Sequence, residues 1–326
     1  MREVAFLRKN ADKWKEIEQL LNDSSSDDPD KLADLYIELS ADLAYAQANY
    51  PGSKTKEYLN QLSVAVHTEI YKSRKEDRRR LITFWTQELP ELFGSKQKEL
   101  LYSLIVFMLA ISIGVLSSVN DPSFVRLIMG DAYVNMTISN IEKGDPLAVY
   151  KKAEELEMFF AITINNVKVS FFAFTSGLLT SIGTGVILLQ NGVMVGAFLH
   201  FFAEYGLIGE ALRVIFIHGA LELSAIVIAG AAGFVIGNGI LFPGTYTRRR
   251  SFIKAGKEGL KMIIGLVPIF ITAGLLESFV TRYTQMPLWL SLCIIFGSFA
   301  FILYYFVWLP ITLKNKNERL RTSKIS

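Results

Sequence analysis

The chain has little of what most enzymes and secreted domains are built on. Among 326 residues there is one cysteine, Cys293, inside an apolar run, which excludes a disulfide framework and a thiolate metal centre. Charged residues make up only 20% against 51% hydrophobic, and the mean hydropathy is +0.32, so an ordinary water-facing globule is excluded and a membrane protein is expected. Strand-like alternation is absent throughout. A phosphate-binding loop, a dinucleotide fingerprint and a G-x-S-x-G nucleophile motif are also missing, so no cofactor is expected and any nucleotide use would come from a partner. The N-terminus MREVAFLRKNADKWKEIEQLL interleaves charged and apolar residues without an apolar core, so it does not read as a cleaved signal peptide. A net charge of +3 spread over so uneven a chain gives no reason to expect nucleic acid as a partner.

What is there falls into three parts. Nearly half of the Lys and Arg lie in residues 1–98, which read as a cytoplasmic helical domain. Residues 99–313 read as a membrane domain and 314–326 as a basic tail. About 20 mainly apolar residues cross the hydrocarbon layer, and six stretches qualify: 100–119, 167–190, 192–209, 211–242, 259–280 and 287–311. The third is short and carries His200 and Glu204, so it would cross or re-enter. Pro268 and Pro310 predict kinks or frayed ends. An even number of spans puts KSRKEDRRR, TYTRRRSFIKAGKEGLK and KNKNERLRTSKIS on one side, and basic loops mark the cytoplasm. The outer loop, 120–166, has seven acidic residues against four basic, which agrees. The expected fold class is therefore all-α, polytopic, with both termini in the cytoplasm and an extracytoplasmic helical hairpin whose second helix starts at Asp145 and Pro146.

In the front end, Leu32, Leu35, Tyr36, Leu39, Leu43 and Ala46 recur at helical spacing after Asp28–Pro29, and Leu59, Leu62, Val66 and Ile70 line the next helix. His67 sits beside that stripe and reads as the edge of a helical bundle. RRRLITFWTQELPELF sets three arginines beside an aromatic apolar face. That composition suits a helix lying in the headgroup layer, or equally a fourth helix on the other three.

Several segments resemble the stage II sporulation protein M family of bacterial integral membrane proteins. They are LSADLAYAQANYPGS, FWTQELPELF, FVRLIMGDAYV, NNVKVSFFAFTSGLLTSIGTGVILLQNGVMVGAF, HGALELSAIVIAGAAG and PGTYTRRRSFIKAGKEGLKMIIGLVPIFITAGLLESFV. The combination of NG-x-x-x-G, HG-x-x-E and GL-[LI]-E-x-F is specific, with Ser224 standing where proline would be expected. The resemblance implies a scaffold in the cytoplasmic membrane that positions peptidoglycan-degrading enzymes. It thus implies envelope proteins such as cell-wall hydrolases as partners, beside the lipid bilayer that the apolar spans require; a homo-oligomer is a further expectation.

The polar residues inside the spans raise a separate question, because a charge at mid-depth costs about 2.5–3.5 kcal/mol on insertion scales. His218 and Glu222 are one helical turn apart, about 6 Å along the axis, and His200 and Glu204 repeat the spacing. If the two segments are hairpin neighbours all four would meet, with Glu277 a fifth candidate. Three readings stay open: a polar lock on helix register, a proton or ion path of a transporter or channel, and a metal site for hydrolysis. The HExxH spacing that aims two imidazoles at one ion is absent, so no metal site and no enzyme is expected. Gly196, Gly230 and Gly233, with Gly177, Gly183, Gly185 and Gly237, suggest close helix packing. Asn191 and Gly192 read as the cytoplasmic turn between the second and third spans.

Overall fold

A computed structural model describes residues 2–22, 29–71, 79–148, 154–283 and 286–322. Among them there is no strand, and the chain divides into two compact units, Met1–Arg80 and Leu81–Ser326. The division falls between Arg80 and Leu81, not at residue 98 as the charge pattern suggested.

The first unit is three helices: α1 (Glu3–Asn22), α2 (Pro29–Asn49) and α3 (Lys54–Tyr71). Their stripes meet in a core of Phe6, Trp14, Ile17, Leu39, Ala46, Leu59, Leu62 and Val66, with Leu35, Tyr36 and Leu43 packed against it. Leu32 and Ile70 lie outside the described side chains. Trp14 needs a hydrogen-bond partner if its ring is to be buried, and its indole Nε1 donates to Asp42 at 2.9 Å. Lys13 lies 2.6 Å from the same carboxylate. The Tyr58 hydroxyl donates to Glu18 at 3.0 Å, and desolvation, with that neighbouring carboxylate, pushes its pKa up to about 12.

α4 (Arg79–Thr83) spans the division, and a π-helical turn (Phe84–Glu88) and α5 (Leu89–Ser95) follow in the second unit. Within the second unit, the LITFWTQELPELF part of this segment packs on the membrane helices. Leu89 touches the backbone at Gly265, Phe93 stacks edge-on against Phe306 at 4.8 Å, and Lys261 pairs with Glu88 at 2.8 Å. The segment is thus built into the base of the membrane bundle.

The bundle consists of α6 (Gln97–Asn120), α9 (Glu155–Thr175), α10 (Thr180–Glu204), α11 (Ile208–Leu241), α12 (Arg248–Leu275) and α13 (Leu288–Leu303); α7 (Pro122–Met129) and α8 (Asp131–Glu142) intervene, and α14 (Leu309–Thr322) ends the chain. Five helical stretches are long and apolar enough to cross a membrane, which makes this a multi-pass membrane protein. One of them, Glu155–Glu204, is 50 residues and folds back on itself. Along α9, Asn166 faces Glu222 and Gly177, just beyond its end, touches Gly233, so α9 runs parallel to α11. Along α10, Ser181 touches Gly237 and Leu188 touches Gly230, so α10 runs antiparallel to α11. Among the described residues the five stretches therefore give six helical passes of the bundle, and Gln97 at the start of α6 lies beside Phe306, just beyond α13.

The reversal sits at a 3-10 turn, Ser176–Leu179, followed by Thr180 at φ 65°. The Thr184 hydroxyl donates to the Ala173 carbonyl at 2.9 Å, a contact that eleven residues of straight helix, about 16 Å, would forbid. The expected turn at Asn191 and Gly192 is not there, and the spans expected at 167–190 and 192–209 are replaced by 155–175 and 180–204. Gly192 instead packs mid-helix on Phe107 and Ala110 of α6, and Asn191 donates to Ile187 at 2.8 Å. In hydrocarbon a glycine is more useful as a contact point between helices than as a bend, and that use decides here.

Beyond α6, Asp121 caps α7 by accepting from Ser123 Oγ at 2.7 Å and from Ser123 N at 2.9 Å, which hold its carboxyl below the ordinary range. α7 and α8 form before Asp145, which heads a turn leading into 3-10 conformation at residue 148; the helix expected to start at Asp145 and Pro146 would run on into residues 149–153, which lie outside the described part. Pro310 does not break its helix. A π-helical turn (Tyr304–Trp308) precedes it, and the Phe306 carbonyl, which Pro310 cannot reach with an N–H, accepts from Gln97 Nε2 at 2.9 Å. Pro90 follows the π-helical turn Phe84–Glu88, and there the Tyr305 hydroxyl donates to the Trp85 carbonyl.

Candidate functional site: a buried His/Glu/Glu cluster

α11 is the axis of the bundle. From Ala225 to Gly237 every residue is buried, with α6, α9, α10, α12 and α13 all packed against the helix. Small residues make that possible: a Cβ placed on Gly230 would meet Ser103 and Leu188, and one on Gly233 would meet Thr184 and the Ala173 carbonyl. Gly196, likewise, meets the Ile111 carbonyl of α6.

Three turns into α11, His218 is 4% exposed, and Glu222 follows one turn later. Glu277 comes to them from a π-helical turn (Leu276–Val280) that continues α12. One added residue in such a turn re-aims the side chains that follow it, and here both Glu277 and Thr281 are turned to α11. One ligand atom from each of His218, Glu222 and Glu277 lies within 4.8 Å of the other two. His218 Nε2 is 3.8 Å from Glu277 Oε2.

The tautomer of the imidazole follows from its other nitrogen. His218 Nδ1 is 3.2 Å from Thr281 Oγ1, and that hydroxyl donates its single hydrogen to the Leu276 carbonyl at 3.1 Å. Thr281 must therefore accept from Nδ1–H. The basic nitrogen is Nε2, the one turned to the carboxylate.

The wall opposite is α9. Thr163, Asn166 and Ser170 share one of its faces, and Thr163 Oγ1, Asn166 Nδ2 and Ser170 Oγ are buried without a hydrogen-bond partner among the described residues. Ser278 Oγ, next to Glu277, is in the same state. Asn166 Nδ2 approaches Glu222 without completing a hydrogen bond of ordinary geometry. Buried polar atoms nearly always have a partner, so the Asn166 amide beside Glu222 marks polar and not purely apolar surroundings for the cluster.

Of the residues singled out from sequence, His218, Glu222 and Glu277 come together. His200 and Glu204 do not join them. They lie near the far end of α10 on its α6 side, beside Ser118, Val119, Pro122 and Ala203, with Glu204 exposed. Spacing within a helix fixes a face, but which helix that face meets depends on where the chain reverses. Two contributors were missed: Thr281, which orients the imidazole, and Asn166. The available signal for Asn166 was an Asn-Asn-Val-Lys step at the start of an apolar run, where an amide needs a reason to be buried. Ser224, standing where proline was expected, donates to Ala220 at 2.7 Å and leaves the helix unbroken.

Chemically the cluster can hold a shared proton among His218, Glu222 and Glu277, or present one imidazole nitrogen and two carboxylates to a cation. Either removes the cost of isolated charges in the membrane interior.

Comparison with known families gives two matches. Residues 103–282, more than half of the chain and including every member of the cluster, match stage II sporulation protein M. Residues 4–72 match a domain of unknown function (DUF8413). The two matches fall in the two compact units, so the resemblance first noted along nearly the whole chain is carried by the membrane unit. No curated protein and no solved structure matches the chain.

Proposed function

Because the chain belongs to the stage II sporulation protein M family, we propose that it is a scaffold of the bacterial cytoplasmic membrane, with both termini inside, that recruits partners in remodelling of the cell envelope. The observation that supports this reading best is the solid packing of the bundle around α11. Gly177 meets Gly233, Gly114 meets Val193 and Gly196 meets Ile111, each at backbone distance. A membrane core closed in this way is suited to hold surfaces in fixed positions more than to rock between two open states. The surfaces offered to partners are the three-helix unit and α7–α8, and peptidoglycan hydrolases are the partner class. Catalysis would belong to those partners and not to this chain.

Co-expression of the tagged full-length chain with cell-wall hydrolases of its source tests this, by co-purification from detergent. A hydrolase retained by the full chain and lost when exposed residues of α7–α8 are replaced supports the scaffold. The rival reading is a transporter, which the His218–Glu222–Glu277 cluster favours because it places titratable groups inside the spans. Vesicles containing the purified chain, loaded with a pH-sensitive dye, separate the two. Proton flux in the wild type that disappears in Glu222→Gln would overturn the scaffold.

A further inference from the structure

We infer that His218, Glu222 and Glu277 form a binding site for a divalent transition-metal ion of zinc type, with Asn166 facing its open side. Four observations converge. The ligand set is one imidazole and two carboxylates, the nitrogen and oxygen donors that zinc accepts. Their donor atoms lie within 4.8 Å of one another and the His218–Glu277 pair is 3.8 Å apart. Donors at about 2.0–2.2 Å from a tetrahedral zinc stand about 3.3–3.6 Å apart, so closure on an ion asks for side-chain shifts of about an ångström.

The imidazole is also prepared for the task. Its Nδ1–H is fixed on Thr281, which leaves Nε2 as the donor on the cluster side. Metal-bound histidines are held in this manner, by a partner on the second ring nitrogen. Finally, Asn166 is 5% exposed, lies beside Glu222, and has an amide atom without a hydrogen-bond partner. Three protein ligands plus a polar group facing a fourth position is the arrangement of an open site, not of a closed structural one. Cys293 is exposed on α13 and no part of this set. His200 and Glu204, with the same sequence spacing, lack a third donor among the described residues and serve as the internal control.

The test uses the full-length chain in detergent, stripped with chelator, exposed to zinc alone and freed of unbound ion before elemental analysis. About one zinc per chain is expected. Glu222→Gln with Glu277→Gln, which keeps side-chain volume, should abolish retention, and Thr281→Val should weaken it about 10- to 100-fold by freeing the imidazole. His200→Ala with Glu204→Gln should retain the full amount. X-ray absorption at the zinc edge reads the wild type without any variant, and should show one imidazole with oxygen donors. Equal retention by the wild type and the Glu222→Gln, Glu277→Gln variant, no retention by the wild type, or a shell containing sulfur would each overturn the site.

Discussion

Leu39 and Leu59 in the three-helix unit, and Leu109 and Leu116 in the first span, are the same side chain put to opposite uses. The first two are 0% exposed, while the second two are 59% and 61% exposed. In water the hydrophobic effect drives large apolar groups inward, and the 1–80 unit closes around Phe6, Trp14 and Ile17. In lipid that drive is gone, so large residues are free to turn outward, and small ones let backbones approach closely in the interior. The membrane unit also buries large side chains such as Phe93, Phe270 and Phe306, but it adds close approach at glycine and hydrogen bonds to carbonyls, whereas the soluble unit rests on aromatic and aliphatic volume.

Substitutions can sharpen or break this contrast. The largest effect is expected from Trp14→Ala, which removes a 3% exposed ring: a loss of about 3–5 kcal/mol confined to the 1–80 unit, read as its selective proteolysis at a temperature where the membrane unit stays intact. Next is Gly233→Ala, a single added methyl that would lie 2.6 Å from the Ala173 carbonyl and close to Thr184. It should cost about 1–3 kcal/mol, read as a lower aggregation temperature in detergent, while Gly185→Ala, with nothing within 4 Å, leaves it unchanged. A tolerant Gly233 would break the claim that backbone contact holds the bundle.

Gln97→Leu is smaller. It leaves the Phe306 carbonyl without its donor and should cost about 1 kcal/mol, at the lower end of what an unsatisfied buried acceptor costs. Smallest is a pH effect on the soluble unit alone. The folded pKa of Tyr58, about 12, lies above the ordinary tyrosine value of 10.0, so its contribution is complete below pH 10 and is lost as pH rises from there through about 12. Thermal unfolding of the 1–80 unit should show this loss, and Tyr58→Phe should remove the Tyr58 part of it. An unchanged slope in that variant would assign the effect elsewhere.

The contrast also explains what could be read from the sequence. Stripes at three and four residue steps in water-facing helices name the core directly, and Leu39, Leu59, Leu62 and Val66 are all buried as their spacing implies. Apolar length alone marks the membrane crossings. The place where α9 gives way to α10 was not legible, since Ser176–Thr180 carries no proline and its only glycine is a contact to Gly233. The stronger turn signal, Asn191–Gly192, is spent on packing against α6. That one displacement also moved His200 and Glu204 away from the cluster they were expected to join. His218, Glu222 and Glu277 were recognisable because ionisable groups in apolar runs need a partner. Which of them met was a question of tertiary packing, which spacing along one helix does not contain.

The hydrogen bond from Gln97 to the Phe306 carbonyl joins residues 209 positions apart, at the start of the first span and the end of the last. Seen during synthesis, it is a clasp whose second half does not exist until almost the whole chain has been made. At about 5–20 residues per second the first span waits roughly 10–40 s for it. Throughout that interval the backbone at Gly94, on which the Pro310 carbonyl later packs, is without that neighbour. The last span to emerge is therefore the one that closes the base, and the order of assembly is written into where a proline left a carbonyl to be answered.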